Sequence, residues 1–237
     1  HQPVCWGEPL SRALLFNGEI YNFRNLADVV ADTHALLPAY QRLGVDLPRV
    51  IDGEYALVVL DAAADRVLIA VDPFLTKPLF LGYGVNGTDF GVATCASTLH
   101  GLGLIRVRMM QPNSRAVVDL QDPENAVIST PVVQFSLQQH VESYDEWIEA
   151  FIEAVRKRAS HGAQENAVFL SSGYDSGAIC LALNLLGIRY RTLTIRSGES
   201  ATVLDARLHL NATAGNRSPL IYEGLTKQQI EVISDEI

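Results

Sequence analysis

The chain has 237 residues, 48% hydrophobic and 19% charged, with a formal net charge of −9. This leaves ample apolar material for a packed core and excludes a disordered chain. The acidic balance excludes a basic nucleic-acid-binding face, since the densest positive cluster is Arg156-Lys157-Arg158, read as a solvated helix end. The three cysteines, Cys5, Cys95 and Cys180, form no CxxC pair. They suggest neither a disulfide framework nor a zinc site, and a cytoplasmic setting is expected. No apolar run reaches the length of a membrane span and no signal peptide is visible. The chain starts at His1 rather than Met, which reads as a fragment, a trimmed form or a processed product.

The first 130 or so residues read as short strands with two helical stretches. Apolar runs at Ala13–Phe16, Tyr55–Leu60, Val67–Val71, Leu79–Leu81 and Ala116–Leu120 are separated by Gly, Asp, Asn and Pro. Thr33–Leu43 has helical spacing, with Leu36, Leu37, Tyr40 and Leu43 on one face. This is an α+β pattern rich in antiparallel strands. Residues 121–143 read as a boundary, with turn chemistry at Gln121–Asn125 and a polar stretch at Ser136–His140. The rhythm then changes. Ser143 and Glu146 suggest a capping box for a helix over Tyr144–Ser160, with Trp147, Phe151 and Val155 on one face. A strand at 167–170, a helix at 177–186 ended by Gly187, a strand at Tyr190–Ile195, a helix around Asp205–Ala214 and a strand at Pro219–Tyr222 follow, with Thr226 and Gln229 capping a last helix. Alternating strand and helix predicts a doubly wound parallel sheet.

Between that strand and helix stands Ser171-Ser172-Gly173-Tyr174-Asp175-Ser176-Gly177. In a parallel sheet this is the ligand-binding end of the strand, and the following helix start offers N–H donors to an anion. Ser171 and Ser176 add hydroxyls, and Gly173 allows close backbone approach. Asp175 makes sense beside phosphates if Mg²⁺ lies between them. The simpler reading is an ordinary turn with Ser or Asp as N-cap.

The spacing S-x-G-x-D-S after an apolar strand resembles the SGGxDS pyrophosphate loop of the ATP pyrophosphatases. Ser172 stands at the motif's first Gly, where a Cβ would crowd phosphates or demand a different backbone angle. Upstream, Asn17-Gly18-Glu19-Ile20-Tyr21-Asn22 resembles the NGEIYN signature of class II glutamine amidotransferase domains. Ala31–His34 resembles SDTE, Asp52–Ala56 resembles DGMFA, and Asp72–Leu79 resembles DRFGIKPL. In this order the motifs resemble glutamine-hydrolysing asparagine synthetase and its relative β-lactam synthetase.

The resemblance implies an αββα Ntn-hydrolase-like domain over residues 1–135, incomplete, and a PP-loop ATP pyrophosphatase-like α/β domain over 136–237, truncated. It implies an ATP-dependent amide-forming ligase that works through an acyl-adenylate, with ATP and Mg²⁺ as cofactors and an aspartate-like or other carboxylate as acceptor. Asn17 and Gly18 match oxyanion-hole residues, and Glu19 and Asp32 match residues that hold the ammonium of glutamine. Ser171, Ser172, Gly173, Asp175 and Ser176 match the pyrophosphate loop, with Asp175 on the metal. Taken alone, Asn17-Gly18 reads as a hairpin turn.

The family's nucleophile is an N-terminal cysteine, and Cys5 lies too close to Asn17 to match it. Pro73 replaces Arg, Leu75 replaces Gly and His34 replaces Glu. Glutaminase activity is therefore expected to be absent from these residues. Two other readings stand beside the ligase: a non-catalytic asparagine-synthetase-like module used for binding or structure, and another PP-loop ATP pyrophosphatase acting on a nucleobase or small metabolite. A homodimer or a protein partner is left open.

Overall fold

The computed structural model describes residues 2–7, 11–138, 141–160, 165–196 and 198–223. The chain divides into two compact units, 1–138 and 139–237.

The first unit is built on a six-stranded antiparallel sheet. Its strands are β1 (Val4–Trp6), β2 (Arg12–Ile20), β3 (Gly53–Asp61), β4 (Arg66–Val71), β8 (Arg115–Asp119) and β9 (Val127–Ser129), in the order β1-β2-β3-β4-β8-β9. A second antiparallel sheet has β5 (Phe80–Tyr83) between β6 (Phe90–Ala93) and β7 (Arg106–Met109). Side chains alternate across the strands. Leu14, Phe16 and Ile20 of β2, with Leu57 and Val59 of β3 and Leu68 and Ala70 of β4, share one core. Helices α1 (Phe23–Leu26) and α2 (Asp32–Leu43) cover that face with Phe23, Leu26, Leu36, Ala39 and Tyr40. On the opposite face Ala56, Val67, Ile69, Val71, Ala116 and Val118 meet Leu79, Leu81 and Tyr83. Behind the second sheet, α3 (Ala96–Gly101) and the residues after it send Leu99 and Leu104 against the bare backbone of Gly82 and Gly91. The layers are therefore helix, sheet, sheet, helix, the αββα order expected. Each fully buried Leu or Ile contributes about 1.5–3 kcal/mol to holding them together.

In α2 the expected face needed adjustment. Leu36 and Tyr40 are buried as anticipated, but Ala35 and Ala39 complete the contact and Leu37 and Leu43 sit at its border. Tyr40 also donates its hydroxyl to the buried Asp61 at 3.1 Å, and Asp61 pairs with Arg12 at 2.8 Å. Burial raises the Tyr40 pKa above the ordinary tyrosine value.

The second unit contains α4 (Asp145–Ala159), β10 (Asn166–Phe169), α5 (Tyr174–Leu185), β11 (Tyr190–Arg196), α6 (Ala201–Thr213) and β12 (Leu220–Glu223). Its sheet is parallel in the order β10-β11-β12. Leu170, Cys180, Leu183, Tyr190 and Leu204 form its core, with Val155 and Ala159 of α4 and Leu208 of α6 packed against it. All three helices thus share one core. The expected double winding is absent among the described residues. The strand order never reverses, and two right-handed crossovers running in one direction place their helices on one face. Phe169 on the other face is 70% exposed.

Three local expectations also change. The capping box at Ser143 and Glu146 does not close: Tyr144 is the N-cap, and Ser143 Oγ accepts from the Asp145 N–H at 3.3 Å. Helix α5 begins at Tyr174, three residues before the expected Gly177. Helix α6 begins at Ala201, because Ser200 takes the extended N-cap conformation. The expected last helix around Thr226 and Gln229 lies outside the described residues. Among the described residues no helix is long and apolar enough to cross a membrane.

Candidate functional site

The Asn17-Gly18 pair lies inside β2, not in a hairpin turn. It is paired with β3, Asn17 opposite Ala56 and Gly18 opposite Tyr55. Gly18 has φ +143°, and a Cβ there would sit 1.9 Å from the Glu54 carbonyl oxygen. Gly53 meets the same restriction, 2.3 Å from the Glu19 oxygen. The two glycines let β2 and β3 approach closely at the end of the ladder.

Backbone alternation shows where this end of β2 presents its donors. The side chain of Gln2 holds the Phe16 N–H and C=O at 2.7 and 2.6 Å, and Asp32 Oδ2 accepts from the Ile20 N–H at 3.1 Å. Both contacts lie on the β2 edge facing away from β3. Alternation places the Gly18 N–H on that edge, between them. The Asn17 and Glu19 side chains are exposed and form no side-chain bond among the described residues. Asp32 Oδ1 accepts from the Thr33 N–H at 2.6 Å, so the carboxylate joins β2 to the start of α2. Oδ1 also accepts from the Thr33 hydroxyl at 3.3 Å, so Oδ2 is the oxygen that keeps acceptor capacity for a further donor. The structure thus brings Asp32 to the end of the strand that carries Asn17, Gly18 and Glu19.

Glu54 joins this region and was not read from the sequence. It stands directly opposite Glu19 and accepts from the Tyr21 hydroxyl at 3.0 Å. The resembled DGMFA motif has an apolar residue there, so motif matching gave no signal. Cys5 lies in the middle of β1, opposite Ala13, with its thiol 3.7 Å from the Pro3 carbonyl. His34 is an exposed residue of α2.

The segment Asp72–Leu79 is held by one buried carboxylate. Asp72 accepts from the N–H groups of Tyr55, Phe74 and Thr76 at 3.1, 2.8 and 3.0 Å and from the Thr76 hydroxyl at 2.6 Å. Buried acceptors need this degree of satisfaction. The motif's aspartate fixes the turn between the two sheets.

In the second unit the Ser171–Ser176 loop lies at the C-terminal end of β10 and opens α5. Gly173 is the N-cap, with φ −70° and ψ 155°. Ser172 is not among the residues with positive φ. A serine at the motif's first glycine therefore requires no positive φ, so of the two expected consequences the change of backbone angle does not arise. The loop is internally bonded. Ser176 Oγ accepts from the Ser171 N–H at 3.1 Å, and Ser171 Oγ accepts from the Gly173 N–H at 3.1 Å. Asp175 is exposed in the first turn of α5 and makes no bond among the described residues.

Two partners of this loop were invisible in the sequence. Glu199, in the next strand-to-helix connection, accepts from both the backbone N–H and the hydroxyl of Ser172. These donors, hydroxyl first, hold its carboxyl below the ordinary glutamate range, and the Arg207 charge adds to the effect. Arg207 approaches from α6 and donates to the carbonyls of Ser171 and Gly173 at 2.7 and 2.6 Å. Gly177 makes that approach possible, since a Cβ there would lie 2.6 Å from the guanidinium carbon.

Among the described residues no cluster of three or more His, Cys, Asp or Glu side chains can hold a metal ion. Asp175 alone gives a hard cation one protein ligand. It fits Mg²⁺ only where phosphate oxygens supply other ligands, the usual arrangement for this ion.

The first unit is thus an αββα domain with an amide and carboxylates gathered at one strand end, and the second is a parallel βα unit with a polar turn. Residues 1–135 match the family model described as a glutamine amidotransferase domain, and the chain belongs to that family. It is 33% identical over 135 residues to the asparagine synthetase (glutamine-hydrolysing) of Gallus gallus, a match covering 52% of this chain and 24% of that protein. The protein of the same name from Cricetulus griseus is 26% identical over 265 residues, covering 94% of this chain and 46% of that protein. The chain therefore spans less than half the length of these curated relatives. A solved structure titled as the allosteric regulatory enzyme of purine biosynthesis superposes with a TM-score of 0.46 at 16% identity, covering 93% of this chain and 62% of that one.

Proposed function

We propose that the chain is part of an asparagine-synthetase-like ligase that forms an amide at the expense of ATP, through an acyl-adenylate of an aspartate-like or other carboxylate. The observation that carries this reading is the Ser171–Ser176 loop at the C-terminal end of a parallel strand, in one chain with a glutamine amidotransferase domain. In this reading Ser171, Ser172, Gly173 and Ser176 hold the phosphates by hydroxyl and backbone donors, and the start of α5 adds its dipole. Asp175 orients the Mg²⁺ that accompanies ATP. Bound Mg²⁺ would neutralise phosphate charge as the α–β bond breaks.

In the same reading the Gly18 N–H and the Asn17 amide would stabilise an oxyanion, while Glu19 and Asp32 would take an ammonium group. The nucleophile is the part these residues do not supply. Cys5 lies exposed in the middle of the edge strand β1, with its thiol near the Pro3 carbonyl. We therefore propose that residues 1–237 by themselves release no glutamate from glutamine.

One observation favours a second reading, the non-catalytic module: the Ser172 donors are already taken by a carboxylate of the same chain. Phosphorus NMR of Mg-ATP separates the two. The ligase reading expects the wild type, but not Ser176→Ala, to shift and broaden the β- and γ-phosphate signals. Signals unaffected by either protein would leave the non-catalytic module.

A further inference from the structure

Glu199 and Ser172 are 27 residues apart, yet the Glu199 carboxylate meets the loop at Ser172. Strands β10 and β11 are direct neighbours in the sheet, with the Leu170 N–H donating to the Leu193 carbonyl at 2.8 Å. The connections that leave their C-terminal ends therefore lie side by side. One connection is the Ser171–Ser176 loop, and the other carries Glu199. Gly198, with φ +77°, precedes Glu199, and a Cβ there would meet nothing within 4 Å beyond its chain neighbours. Ser200 follows it and donates its N–H to Ser172 Oγ at 3.2 Å.

Arg207 organises the loop from behind. Its two bonds to the Ser171 and Gly173 carbonyls engage the acceptor side of the turn. The Ser171 and Gly173 N–H groups are satisfied by neutral hydroxyls of the loop itself. The Ser172 N–H and hydroxyl, by contrast, are held by an anion from another segment. An N–H and an O–H converging on one carboxylate oxygen form the donor pair that a phosphate oxygen would take.

We propose that Glu199 is a built-in occupant of this loop. Its carboxylate stands where a polyphosphate oxygen binds, and a nucleotide must displace it. This rests on the reading of the loop as a pyrophosphate site and adds its regulation. The glutamate does two things at once. It satisfies Ser172 while the site is empty of nucleotide, and it sets a negative charge at the Ser172 donors against an incoming triphosphate. Removing the charge on Glu199 lifts both the competition and the repulsion.

The test is calorimetric titration of the wild type, Glu199→Gln and Glu199→Ala with Mg-ATP and, separately, with pyrophosphate and Mg²⁺. Both variants are expected to bind at least tenfold more tightly than the wild type. Equal or weaker binding by the variants, with the wild type binding, would overturn the proposal and leave the loop as a nucleotide site. No binding by any of the three would overturn the nucleotide site and the proposal together. Amide hydrogen exchange at Ser172 gives a readout free of nucleotide. It is expected to be slow in the wild type and faster in Glu199→Ala, and unchanged exchange would contradict the contact itself.

Discussion

Leu75 donates its backbone N–H to the Asp72 carbonyl at 3.2 Å while holding φ at +55°, a left-handed conformation that disfavours a Cβ. This is the position where the resembled motif carries glycine. Leu75 recovers part of the cost by packing its side chain against the inter-sheet core. Truncation separates the two effects. Leu75→Ala keeps the strain and loses the packing, whereas Leu75→Gly loses both. In urea denaturation the Gly variant is expected to be more stable than the Ala variant by about 1 kcal/mol. Ala more stable than Gly, the usual order, would show that the turn carries no such strain.

Gly18 and Gly101 make a matched contrast. A Cβ at Gly18 would overlap the Glu54 carbonyl oxygen at 1.9 Å, and one at Gly101 meets nothing within 4 Å. Gly18→Ala is expected to cost about 2–3 kcal/mol by forcing β2 and β3 apart. Gly101→Ala should remain within about 0.5 kcal/mol of the wild type. Thermal and urea unfolding check both.

How much of this was legible in the sequence depended on range. The long strands β2 and β3 and helix α2 carry strong periodic signals, and the motif order pointed to the αββα domain. Asn17-Gly18 misled as a local signal because its glycine serves close strand approach rather than a turn. Double winding is absent among the described residues, because alternation of strands and helices does not specify strand order. Glu199 and Arg207 could not be read at all. Their bonds to the loop span 27 and 36 residues, with no local pattern to announce them.

Tyr190 anchors the second unit. Its buried hydroxyl lies 2.6 Å from Asn211 Oδ1 and 3.0 Å from Asn184 Oδ1, and burial raises its pKa well above the ordinary tyrosine value. Tyr190→Phe removes the shorter of two bonds to the Asn211 oxygen, which is left with the Asn184 amide at 3.2 Å as its donor. A loss of about 0.5–1.5 kcal/mol is expected, measured by urea unfolding of the whole chain. An unchanged midpoint would show that the asparagines repair the gap.

The cysteines differ in environment. Cys5 and Cys95 are exposed and Cys180 is buried. Burial pushes the Cys180 thiol up from its ordinary pKa. A native thiol titration should therefore label two cysteines quickly and the third only on unfolding. The sign for stability follows from linkage. A thiol whose folded pKa is raised contributes stability below its unfolded pKa, and loses it as pH rises toward the folded value. Stability should therefore fall on the alkaline side of the ordinary thiol range, and fall less in Cys180→Ala. Rapid labelling of all three native cysteines would contradict the buried placement.

We propose that the Ser171–Ser176 loop receives the phosphates of ATP with Asp175 on the metal side. The most direct measurement is calorimetric titration of Mg-ATP into the wild type and Asp175→Ala. Saturable binding by the wild type that requires Mg²⁺ and is lost in Asp175→Ala is expected. Binding that is equal in the two proteins, or absent from both, would contradict it.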